Sequence, residues 1–130
     1  MLRKKENRGY KVIINSNEKK LKQCALKNIP FDAQVGVLAH EFAHVLHYNS
    51  IGTLELLVEG FQYLVSMKFR SKFERANDLE TIERGFGWQV YHFTDYILNK
   101  TDASEKYKAY KRKIYFSPEE VEEIIISTSD

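Results

Sequence analysis

Two histidines four residues apart, with a glutamate directly after the first, are the residues of this chain best suited to chemistry: His40-Glu41-Phe42-Ala43-His44. Zinc prefers neutral imidazoles and carboxylates, each nitrogen lying about 2.0–2.1 Å from the ion. Helix positions four apart project from one face about one turn apart, so both rings can reach a single ion. Glu41 sits about 100° further round the helix. From there its carboxylate reaches a water on the metal rather than the metal, as a general base acting on metal-activated water must. The spacing therefore predicts a Zn2+ site with His40 and His44 as ligands and Glu41 as the catalytic base.

Two ligands leave the class of site open, and the third decides it. One pattern continues with a glycine turn and a third histidine, but this chain has His47 at the glycine position and Ser50 at the histidine position. That class is set aside. His47 lies on the same stripe as His40 and His44 but one turn too far along to share their ion, which makes it a supporting or solvent-facing residue. The remaining source is a glutamate on a later helix, with Glu55, Glu59, Glu74, Glu80 and Glu83 as candidates. Glu74 is preferred because Asp78 follows four residues later on the same helical face. Glu74 would complete the metal shell while Asp78 accepts the free ring N–H of His40 or His44 and fixes its tautomer. Glu59, fifteen residues after His44, is the rival.

His40–His44 taken with Phe73-Glu74-Arg75-Ala76-Asn77-Asp78 resembles the gluzincins, zinc metallopeptidases with two histidines in HExxH and a downstream glutamate. The second segment is similar to the Glu-x-x-Ala-Asp element of membrane-linked and minigluzincin-type peptidases, with Asn77 in place of the alanine. The resemblance covers residues 34–78. It implies a zincin-like core, zinc on His40, His44 and Glu74, and Glu41 as base and proton shuttle. It also implies a peptide or protein substrate, hydrolysed by metal-activated water at a polarised carbonyl. Such enzymes usually add a sheet edge that pairs with substrate backbone and a Tyr or His that stabilises the oxyanion. Tyr10–Asn15 is the visible candidate for the edge. His92, with Tyr91, is the candidate for the oxyanion role.

Around these residues the sequence places mostly helices. Asp32 stands where an N-cap belongs, and residues 33–48 carry a helical pattern whose apolar members Val35, Leu38, Phe42, Val45 and Leu46 form a stripe expected to be buried. Gly52 and Thr53 mark a break. Leu54, Leu57, Val58, Phe61, Leu64 and Val65 then trace a second amphipathic helix. A third helical stretch over 72–99 holds Gly85 and Gly87, which predict a kink or two shorter helices. Its aromatic run from Phe86 to Phe93 is expected to pack helices together. Asp102-Ala103-Ser104-Glu105 and Ser117-Pro118-Glu119-Glu120 match capping boxes, the second opening a terminal helix. Near the N-terminus, Tyr10-Lys11-Val12-Ile13-Ile14-Asn15 reads as a strand. The expected class is α+β, mostly α-helical, with a short N-terminal strand or small sheet.

At 130 residues and 43% hydrophobic, residues 1–130 fit one small domain with little room for a second module. Twenty Lys+Arg against 18 Asp+Glu leave a net charge of +2, which makes no electrostatic case for nucleic acid. Cys24 is the only cysteine, so no disulfide forms within the chain. The basic start Met1–Arg8 has no apolar stretch behind it and is not read as a signal peptide. No run approaches the roughly 18–20 apolar residues of a membrane helix. A soluble, cytoplasmic protein is the default expectation.

Overall fold

Helix follows helix along residues 4–129, the part of the chain described by the computed structural model. After a 3-10 turn at Lys5–Asn7 and an irregular stretch come α1 (Glu18–Leu21) and two further 3-10 turns, Lys22–Cys24 and Leu26–Asn28. Then follow α2 (Phe31–Ser50), α3 (Thr53–Val65), α4 (Met67–Thr81), a π-helical segment (Ile82–Phe86), α5 (Gly87–Asn99), α6 (Glu105–Ile114) and α7 (Pro118–Thr128).

No strand occurs among the described residues, which corrects the α+β expectation and with it the zincin-like core. Tyr10–Asn15 forms no regular element and is unpaired, with Ile13 87% exposed. Its β-branched residues meet the local requirement for a strand. No second run is available to hydrogen-bond to it, and a lone strand has no stability of its own. The segment instead runs along α2: Val12, Ile13 and Ile14 share a shallow groove with Leu38 and Phe93. Arg8 anchors it by donating to the carbonyls of Tyr48 and Ile51 at the end of α2.

Local signals set the helix ends. Pro30 fixes the extended backbone ahead of α2, and Asp32 lies inside the first turn, where it complements the helix dipole rather than serving as N-cap. Ser117 and Glu120 form a reciprocal capping box with Pro118 at the first position of α7. Ser104 caps α6 by accepting from Tyr107 N. Gly85 adopts φ 96°, a left-handed conformation that glycine takes without a Cβ clash, and this breaks the helical stretch into α4 and α5.

α2 lies centrally, packed against α5 on one side and α4 on the other; α7 covers α5, α6 adjoins α4, and α3 packs on α4. The apolar core gathers Ile82, Val90 and Val121, with Tyr91, Phe116, Ile124 and Ile125 against them. Contrary to the stripe read from the sequence, α2 buries Ala33, Gly36, Ala43 and His44, while Phe42 and Leu46 face outward. The buried side is the one that carries small residues. A Cβ on Gly36 would lie 2.3 Å from the Gln89 carbonyl oxygen of α5, so the two backbones touch there. The apolar residues of α3 are likewise uncovered: Leu54, Phe61 and Leu64 are each more than half exposed.

Candidate metal centre

The inward face of α2 bears His40 and His44 one turn apart, and α4 faces it with an equally polar surface. Glu74, Asn77, Asp78 and Thr81 are all buried and fall at spacings of three, one and three, so one side of α4 is inward and wholly polar. The buried part of the seam is therefore joined by hydrogen bonds, and beside it Phe73 of α4 stacks on His44 of α2. His40 Nε2 and His44 Nε2 are 3.0 Å apart, and Glu74 Oε2 lies 3.0 Å from the first and 3.2 Å from the second. Ligands of a tetrahedral ion with bonds of about 2.0–2.1 Å are separated by roughly 3.3 Å. The three donor atoms nearly match that triangle, and His40, His44 and Glu74 could hold a metal ion.

Each donor has a supporting contact. Asp78 Oδ1 accepts from His40 Nδ1 at 2.8 Å, which turns Nε2 toward the cluster. The Asn77 amide nitrogen packs against the His44 ring, meeting Nδ1 and lying 3.3 Å from Nε2, which also faces Glu74. Tyr63 of α3 donates its hydroxyl to Glu74 Oε1. Burial pulls the His40 pKa down, but the hydrogen bonds and charges of Asp78 and Glu74 outweigh it and raise the pKa to about 9. Burial pushes Glu74 up, and the hydrogen bonds from His40, His44 and Tyr63 more than reverse that, so its carboxyl sits far below the usual range. This is the electrostatic signature of a carboxylate held ionised among donors.

Of the rival glutamates, Glu59 pairs with His47 at 2.6 Å, so neither joins the triad and His47 supplies no fourth ligand. Glu80 pairs with Arg84 of the adjoining π segment at 2.7 Å. Glu41 lines the same open cleft as the triad, a space of about 840 Å³ whose far wall is α3 with Leu57, Phe61 and Leu64. It also lines a smaller, mainly apolar cavity of about 150 Å³ behind His40, bordered by Val37, Val90, Phe93 and Ile97.

His92 is not brought to the site. It is exposed on α5 beside Tyr91, and neither residue borders the cleft. The reason is rotational: α5 turns Val90, Thr94 and Ile97 inward, which sends His92 to the outer side. Tyr115 and Tyr48 stand in the cleft instead. Burial and the charge of Glu74 raise the pKa of both phenols, which keeps them protonated. Lys111 borders the small cavity with its ammonium 4.4 Å from the centre of the Tyr115 ring, and burial lowers its pKa against the pull of Glu74 and Asp78. Tyr115 and Lys111 follow His44 by more than sixty residues with no periodic link to it, so the sequence held no signal for them. Asn77 was visible only as the departure from alanine within the Glu74–Asp78 segment.

The chain matches no protein-family model, no curated protein and no solved structure, so the character of this centre rests on its own residues and geometry.

Proposed function

We propose that the protein is a zinc-dependent hydrolase whose substrate is a peptide bond. The observation that carries this reading is the convergence of two imidazole nitrogens and one carboxylate oxygen within 3.2 Å, in a cleft that also holds Glu41. Two imidazoles and a carboxylate form a zinc donor set, and three protein ligands rather than four are the mark of a catalytic site. His40, His44 and Glu74 would hold the ion, and the chemistry it supplies when bound is Lewis acidity toward water and carbonyl oxygen. Glu41 takes the proton of the attacking water and returns it to the departing amine. Tyr115, kept protonated by burial and by Glu74, donates a hydrogen bond to the oxygen that gains charge. Tyr48 stacks on His44 and borders the same space. Asp78 and Asn77 hold the two imidazoles in orientation.

Metal analysis of the purified protein after reconstitution should give one zinc per chain, and Glu41→Gln should keep that zinc while abolishing cleavage of a peptide library. A protein that takes up no stoichiometric zinc would sink the proposal. Retained turnover in Glu41→Gln would remove Glu41 from the role of base. One feature favours a second reading, a zinc-binding protein without catalysis: no sheet edge among the described residues is available to pair with a substrate backbone. That reading predicts bound zinc with no cleavage by the wild-type protein.

A further inference from the structure

α3 is held from one side only. Leu56, Glu59 and Tyr63 turn toward the body and are half-buried, with Tyr63 bonded to Glu74 and Glu59 to His47. These two contacts fix the rotation of the helix, and the opposite arc is left open. Along that arc stand Leu54, Leu57, Val58, Phe61, Leu64 and Val65, between 48% and 75% exposed. Their spacing of three, one, three, three and one is that of positions a, d and e over two heptads, the pattern of a helix that packs lengthwise on another helix.

We propose that this arc is the surface through which two copies of the chain pair, α3 against α3. The arc holds no charged residue, since Glu55 and Glu59 lie off it, so it is complementary to itself as a two-fold contact requires. The six residues expose on the order of 700 Å² between them, which is the ceiling on what the arc alone can bury and lies near the ~800 Å² per partner of a stable protein interface. α3 contains no Lys or Arg, so it lacks the cationic flank with which surface helices hold anionic membranes. Leu57, Phe61 and Leu64 belong both to this arc and to the wall of the cleft, so the second copy would border the site. The pairing does not depend on a metal.

Sedimentation velocity of the full chain should show a dimer at micromolar concentration. Leu54→Glu combined with Val58→Glu places two charges in the seam and should raise the dissociation constant at least about a hundredfold, with helicity by circular dichroism unchanged. Leu54→Asn with Val65→Asn, a milder change should the first pair disturb folding, should raise it at least about tenfold. A wild-type chain still monomeric at about 100 μM overturns the proposal. So does a dimer indifferent to both variants, and so does a monomer that partitions onto phosphatidylcholine or phosphatidylglycerol vesicles.

Discussion

His40 and His44 share an ion site in this reading, yet their neighbours are different. His40 is held between two carboxylates, Asp78 on Nδ1 and Glu74 on Nε2, whereas His44 meets an amide on Nδ1. In the metal-free protein this makes His40 a cation through neutral pH, with its pKa raised to about 9 from 6.5. A raised folded-state pKa contributes stability that is complete below the unfolded value and disappears as pH rises through the folded one. The metal-free protein should therefore lose on the order of 1–3 kcal/mol between about pH 6.5 and 9.5, read as a falling Tm. Asp78→Asn removes one of the two charges and should flatten that slope while lowering zinc affinity. An identical slope in the variant would mean that another group carries the titration. Metal uptake must also displace the His40 proton, so apparent affinity should fall as pH drops below 9.

The elements of the site were legible in unequal measure, and α2 shows why. Its helical period is plain in the sequence, but it has two candidate inner faces. Val35, Leu38, Phe42 and Leu46 win on hydrophobicity, yet Ala33, Gly36, His40, Ala43 and His44 go inside. Periodicity weighs apolar area, whereas the fold is decided by what the opposing helices offer. α4 presents Glu74, Asn77 and Asp78, which satisfy histidines, and α5 comes too close for anything larger than glycine. His40, His44, Glu74 and Asp78 could be read because spacing of three or four along a helix is local information. Tyr63 and Tyr115 could not, because they arrive through tertiary packing from other helices. The N-terminal strand failed for a similar reason: pairing is a property of two segments. Gly36 offers the test at this scale. Gly36→Ala gains about 1 kcal/mol in helix propensity, but its Cβ would lie 2.3 Å from Gln89 O and must push α2 from α5. A net loss of about 1–3 kcal/mol and weaker metal binding are expected, measured by denaturant melts and zinc titration. Gly60→Ala, whose Cβ meets nothing within 4 Å, should be neutral or stabilising. If both behave alike, the close crossing of α2 and α5 is wrong.

Across the whole molecule, apolar packing and the candidate site lie in different places. The cluster of Ile82, Val90 and Val121 ties the π segment to α5 and α7, while α2 meets α4 mainly through buried His, Glu, Asn and Asp, with Phe73 stacked on His44 beside them. A polar seam of this kind adds little net stability, since its hydrogen bonds replace those made to water and its charges are taken out of solvent. An ion held by His40 and His44 of α2 and Glu74 of α4 would bridge the two helices and would bind only the folded chain. Linkage then gives about 2.7 kcal/mol when free metal is about a hundred times its Kd. For a chain of this length that is a shift in Tm on the order of 10 °C. A strong chelator should therefore lower the Tm of the zinc-loaded protein by that amount, and added zinc should restore it. His44→Ala breaks the triad, so its Tm should not respond to chelator or to zinc. A wild-type melt unmoved by chelator would show that the α2–α4 seam holds without metal, and the triad would then be a hydrogen-bonded cluster of structural use alone.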